Sequence, residues 1–298
     1  MSRTVSPSTN RRYGVVLVVS EWQIPRSSFY ESRSRRTRPA RTALRRGPRT
    51  LHSDDELLDR IRSVLAASLF VGEGHRKVWA KLRCAGVRTS KRRVLRIMRE
   101  ANLLSPTRMT RVLGPRNHDG TIITEQPNQM WGTDATSAFT VDEGQATVFI
   151  AVDHCTAEGV GIHAAKEGNR FEALEPIRQG VKEHFGGYGA NVAVGLQIRH
   201  DHGSQYMSDH FQRELRFLGA ESSPAFVRAP EGNGCAERFI RTLKEQLLWV
   251  RTFRTVEELR LALLDWLKVY NENWLIQRHG HRAPAQVRRD FIAIQAAA

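Results

Sequence analysis

Apolar positions recur with two different periods along the chain, and the change of period divides it. From Ser53 to Met109 the period is helical. Ser53 followed by Glu56 has the form of a capping box, so a helix is predicted to start there. Leu57, Leu58, Ile61, Val64, Leu65 and Leu69 then recur at helical spacing until Gly72 and Gly74 break the pattern. Val78, Trp79 and Leu82 mark a second helix ending near Gly86, and Thr89 or Ser90 caps a third. The third has Val94, Leu95, Ile97 and Met98 on its apolar side and Lys91, Arg92, Arg93, Arg96 and Arg99 on the other. Residues 51–113 thus read as a small all-helical module. Residues 114–128, with Gly114, Pro115, Gly120 and Pro127 and no periodicity, read as a linker.

From Gln129 the pattern shortens. Met130–Phe139 alternates like a strand, Ala146–Val152 is a short buried strand, and Val160–Ala164 is a third. Asp142-Glu143-Gly144 reads as a hairpin turn. Phe171–Phe185 is predicted helical, Val192–His200 strand, Ser208–Leu218 helix and Ser222–Gly234 loop. Cys235–Val250 follows as a long amphipathic helix. Thr255 with Glu258 starts a last helix, with Leu259, Leu263, Trp266, Leu267 and Tyr270 on its core side. Three strands, helix, strand, helix, helix is the order of an α/β layer fold with a mixed sheet, spanning 129–290.

Charge changes the picture. The 298 residues carry 46 Lys+Arg against 31 Asp+Glu, a net +15. Such an excess favours a polyanionic partner, with nucleic acid ahead of a membrane surface, because phosphate neutralisation releases counterions. No apolar run approaches the ~20 residues needed to cross a bilayer. The run at Gly14–Val19 is short and is followed by Glu21. Residues 1–50 are rich in Arg, Ser, Thr and Pro. They read as a basic, partly disordered arm, solvated or phosphate-contacting, with Tyr13–Ser20 and Pro25–Tyr30 as a possible helix-turn-helix fragment. The basic start of the third helix of the 51–113 module fits a DNA reader, or a solvated face. The three cysteines, Cys84, Cys155 and Cys235, are odd in number and widely spaced. That argues against a disulfide framework and for a reducing cytosol.

Three acids stand where such a fold exposes chemistry. Asp134 lies inside the first strand, where a carboxylate is costly unless paired or bound to a cation. Asp201 directly follows the strand ending at His200, at the end where open α/β sheets place their sites. Glu237 begins the long helix. Ala236, Phe239, Ile240, Leu243 and Leu247 form its apolar stripe, while Glu237, Arg241 and Lys244 share another face. A plain surface helix would show the same Glu-to-Arg spacing. Asp153 and Asp142 compete with Asp134. His154 with Cys155, and His200 with His202, lack further ligands at zinc spacing and read as structural, with His202 a possible substrate contact.

The segments Trp131-Gly132-Thr133-Asp134, His200-Asp201-His202-Gly203-Ser204-Gln205-Tyr206 and Asn233-Gly234-Cys235-Ala236-Glu237-Arg238-Phe239 resemble the three acidic blocks of the DDE core of retroviral-type integrases and bacterial transposases. Thirty-five residues lie between Asp201 and Glu237, the family's second spacing, and Lys244 matches its basic residue seven positions after the Glu. Tyr270-Asn271, His279-Gly280 and Ala283-Pro284-Ala285 resemble the tail of the core in insertion-sequence-three type transposases, and Gly72–Leu104 their upstream helix-turn-helix-like module.

The resemblance implies an RNase H-like catalytic core. It implies Asp134, Asp201 and Glu237 as catalytic residues holding two Mg²⁺ ions, for which Mn²⁺ can substitute. Two hard cations about 4 Å apart suit in-line attack on a phosphodiester. Water would cleave an element end, and the freed 3′-OH would attack a second phosphodiester, with no covalent protein–DNA intermediate. Lys244, Arg241, Arg92, Arg93, Arg96 and His202 are the expected DNA contacts. Element-end and target DNA, a second copy of the chain and the product of an upstream frame are the expected partners. The expected setting is the bacterial nucleoid. The competing readings are a DNA-binding remnant without chemistry and a nuclease that only hydrolyses.

Overall fold

The computed structural model describes residues 3–37, 51–106, 122–225 and 233–297. Residues 38–50 of the predicted arm, the end of the helical module, residues 114–121 of the predicted linker and part of the predicted 222–234 loop lie outside them. The chain divides into two compact units, Met1–Leu51 and His52–Ala298. The first holds α1 (Gly14–Glu21) and α2 (Arg26–Thr37), matching the two short helices read from the sequence.

In the second unit, α3 (Asp54–Ala66), α4 (His75–Cys84) and α5 (Lys91–Glu100) form the helical module. The capping box is present: the Ser53 hydroxyl accepts from Glu56 N–H, and the Glu56 carboxylate accepts from Ser53 N–H. Ser90, not Thr89, caps α5. Leu57, Ile61, Val78, Leu82, Val94 and Met98 fill a small core of their own.

The catalytic-core candidate is a five-stranded sheet in the order β3-β2-β1-β4-β5. β1 (Met130–Thr140), β2 (Gly144–Asp153) and β3 (Gly159–Ala165) form an antiparallel meander. Gly144, with φ +77°, makes the predicted turn. β4 (Gln197–His200) and β5 (Glu221–Pro224) join in parallel. Two expectations change here. The strand predicted over Val192–His200 shortens to β4, because 191–195 form a turn. Part of the predicted loop becomes β5. Its polar Glu-Ser-Ser-Pro sequence carries no alternating signal, because an exposed edge strand has little to bury and tolerates a terminal proline.

Both faces of the sheet are covered, so β2 reads as nearly continuous apolar sequence. Val148, Ile150 and Val152 face α9 (Gly234–Leu243) and α10 (Val256–Asn273). Phe149 and Ala151 face the side of α6 (Glu175–His184) and α8 (Asp209–Leu218), which follows the short α7 (Ser204–Met207). α11 (Pro284–Ala297) ends the chain, and its Arg288 reaches Glu158, Asp153 and Asn128. Among the described residues, no helix is long and apolar enough to cross a membrane.

Candidate active site

Strand alternation decides where Asp134 points. Trp131 packs with the α6/α8 side, so Gly132 and Asp134 face α9. A Cβ on Gly132 would lie 2.7 Å from Asn233 Oδ1 and 2.8 Å from His154 Nε2. Glycine there lets the N-terminus of α9 close onto β1. Asn233 completes the contact by donating Nδ2–H to the Thr133 carbonyl at 3.0 Å. α9 buries the predicted stripe of Ala236, Phe239, Ile240 and Leu243, which leaves Glu237 exposed in the first turn.

β1 and β4 run parallel with Gly132 beside Arg199. Two more steps of that register bring Asp134 level with Asp201. His200 shapes the Asp201 turn. Burial holds its imidazole below the ordinary histidine range, so it is neutral. Its Nδ1–H donates to the Asp201 carbonyl at 2.6 Å, and Nε2 accepts from Ser222 at 2.8 Å. The His200 ring stacks on buried Tyr206. Asp201 itself is exposed, its carboxylate accepting from Gly203 N–H at 2.9 Å.

The three acids share one electrostatic neighbourhood. Burial pushes the Asp134 carboxyl up to about 6, and the charges of Asp201 and Glu237 push the same way. Its bond from Ala135 N–H and the charge of Lys244 act against the rise. Lys244 comes near Asp134 although the α-helix ends at Leu243. Lys244–Leu248 is a π-helical turn, where one long helix was expected. Asp153, the competing acid, is fully buried. It accepts from Asn128 N–H and Thr156 and lies 3.7 Å from Arg288, which gives it a structural role.

Three hard carboxylates, one of them desolvated and repelled by the other two, suit a divalent cation. Among the described residues, no three His, Cys, Asp or Glu side chains already converge closely enough to hold an ion. The fit therefore rests on donor chemistry and charge.

The expected DNA contacts are scattered. Arg241 is exposed and pairs with Glu245 at 3.1 Å. His202 is exposed on the Asp201 turn, and Arg92 is exposed on α5. Arg93 and Arg96 are instead drawn to Asp54, each at 2.7 Å, which holds that carboxyl at about 2. Gly132, Asn233, His200 and Tyr206, which pack around the acids, carry no signal of that role in their own residue types. They lie inside the three blocks, so their proximity to the acids was the available signal.

Residues 52–111 match the HTH-like domain family and residues 219–284 the integrase core domain family. Over 255 residues the chain is 29% identical to the transposase InsD of insertion element IS2A/D/F/H/I/K of Escherichia coli, covering 82% of each chain. It is equally similar to InsD of IS2-9 from strain K12, covering 82% of this chain and 80% of that one. Among solved structures, the simian T-cell lymphotropic virus intasome aligns at 18% identity and TM-score 0.47, over 72% of this chain and 70% of that one. The domain matches define a protein with an HTH-like module and an integrase-type core. The chain is similar over most of its length to the transposases of IS2 elements.

Proposed function

We propose that this chain is a metal-dependent DNA transposase that cuts at the ends of an insertion element and joins the freed 3′-OH to a second phosphodiester. Asp134, Asp201 and Glu237 are its catalytic acids. The observation that carries this reading is Asp134: a desolvated carboxylate, held up to about 6, turned toward the helix that bears Glu237 and level with Asp201. An acid in that state costs the fold stability and is explained by a cation it is built to receive.

The three acids would hold Mg²⁺, or Mn²⁺ in its place. The bound ions would supply Lewis-acid activation of the attacking oxygen and stabilisation of the leaving one. The chain's own residues position the reacting groups. Neutral His200 fixes the carbonyl of Asp201 and thereby the turn that carries its side chain. Asn233 and Gly132 set the height of α9 over β1, and so the reach of Glu237. Lys244, beside Asp134, offers a cation to a scissile or flanking phosphate, and Arg241 and His202 flank the same opening. Arg92 is the readiest phosphate contact on α5, while Arg93 and Arg96 first have to leave Asp54. The relatives carry the name transposase, and two element ends have to be held at once. At least a dimer, acting in the nucleoid with or without the upstream-frame product, is the assembly we infer.

The test uses purified protein, labelled element-end DNA and Mg²⁺ or Mn²⁺, alongside Asp201→Asn and Glu237→Gln. Metal-dependent nicks and joined products, lost in both variants by at least about 10³-fold while DNA binding persists, support the reading. Cleavage without joining points to a nuclease. Binding without chemistry, with or without the upstream-frame product, leaves a DNA-binding remnant.

A further inference from the structure

The helical module and the catalytic core meet at a seam that encloses a cleft of about 800 Å³. Its position is set by direct contacts. The Gln246 side chain brackets the backbone of Val71, accepting from its N–H at 2.8 Å and donating to its carbonyl at 3.0 Å. Phe70 meets Trp274 edge-on at 4.9 Å, and the Lys77 ammonium sits over the Trp274 ring. Arg76 donates to Gln277 at 2.9 Å. A backbone clasp of this kind holds two bodies in one register, because each bond orients a group that has no freedom to rotate.

The cleft is cationic on both walls. The module contributes Arg76 from the start of α4 and the core contributes Arg238; His75 and His281 line the same walls, and Lys77 lies behind them with its ammonium on Trp274. The two acids on the lining have cations of their own: buried Glu73 bonds Lys81 and Ser68, and Glu245 bonds Arg241. His75 and His281 register the resulting field. Both are held below the ordinary histidine range, first by burial and then by Arg76 and Lys91, with Lys77 acting on His281 as well. The place of Arg238 is the telling feature. It follows Glu237 on α9, and successive helical residues point about 100° apart. Carboxylate and cleft therefore occupy adjacent sides of one helix. The cationic start of α4 faces the cleft, whereas the contacts expected within the module, Arg92, Arg93 and Arg96, lie on α5.

We propose that this cleft carries a DNA backbone. On this inference, which rests on the function proposed above, a sugar–phosphate segment next to the reacting phosphodiester is gripped jointly by Arg238 of the catalytic helix and by Arg76 of the module. Module and core then form one DNA-binding surface within a single chain, and the phosphates in the cleft lie one helix side away from the acids.

The experiment measures the salt dependence of binding of a labelled duplex to the full-length chain. It compares wild type with Arg76→Ala, Arg238→Ala, the double variant, and Arg213→Ala on α8 as an exposed control. Each phosphate contact removed lowers the slope of log K against log salt by about 0.9. The double variant should lose about two units of slope and about tenfold in affinity, with Arg213→Ala unchanged. In a Cys84→Ser background, Gln277→Cys should form a disulfide with DNA carrying a thiol tether on its backbone. This gives a second readout that leaves the cleft's cations in place. Unchanged slopes in the double variant, without cross-linking at position 277, would overturn the cleft while leaving a DNA-binding wild type and its function standing. A wild type that binds an acidic peptide but no duplex at low salt would overturn both.

Discussion

Asp134 costs the metal-free fold stability, and the cost depends on pH in a definite direction. Its ordinary value of 3.8 rises to about 6 on folding, chiefly through burial. The folded state therefore holds the proton more tightly than the unfolded chain. The associated stability is complete below about pH 4 and is lost as pH rises through 6. In EDTA, Asp134→Asn should match wild type near pH 4 and exceed it at pH 8 by up to about 3 kcal/mol in denaturant titrations. Divalent metal should close that gap for wild type alone.

Gly132 belongs to the same scale. Alanine there collides with Asn233 and His154, and Gly132→Ala should cost about 1–3 kcal/mol while lowering cleavage through displacement of α9. Paired melting curves and nicking assays would show it; a variant with wild-type stability would count against the close-packing role. The candidate acids were visible in the sequence, Asp134 because a carboxylate inside an apolar strand has few innocent explanations, Asp201 and Glu237 through their places after β4 and at the start of α9. Their supports were not, since a glycine or asparagine shows its role only when a second element is seen touching it.

Elements were legible to the extent that they bury a face. β1, α9 and α10 announce themselves through periodicity, β2 and β3 as short, nearly continuous buried runs, and the stripe of α9 is buried as its spacing implied. β5 was missed because an edge strand with exposed polar side chains carries no burial signal. The π-helical turn after Leu243 was missed because its signal is the length of a hydrogen-bond ring, which leaves no mark on apolar spacing over one turn. Gln246, within that turn, reaches Val71. Gln246→Ala removes two bonds to a backbone group and should cost about 1–2 kcal/mol. Hydrogen exchange at the Val71 amide should accelerate well ahead of amides in the core of α4. Equal exchange in both proteins would show that the clasp does not hold the seam.

At the scale of the whole molecule, the buried histidines set the acid limit. His184 and His279 are pushed down to about 4 by burial and nearby arginines, and His154 and His200 are lowered as well. The unfolded chain binds their protons first, so the stability they contribute is present above pH 6.5 and is lost as pH falls toward 4. They outnumber Asp134, which works in the opposite sense. The urea midpoint should therefore fall on going from pH 7 to pH 4.5, and a flat profile would contradict their burial as neutral rings.

Arg288 on the last helix is the buried cation between Asp153 and Glu158, and it also holds Asn128 just ahead of β1. Removing one partner of such a pair costs about 3–5 kcal/mol. A premature stop before codon 288 would leave the codons for Asp134, Asp201 and Glu237 untouched and strand two acids in the interior. In a mobile element drifting toward decay, such a copy would keep the codons of all three proposed acids and yield a destabilised product. An inventory of intact triads would then overstate the number of working copies, and the reading frame through α11 would be the better index of which copies can still move.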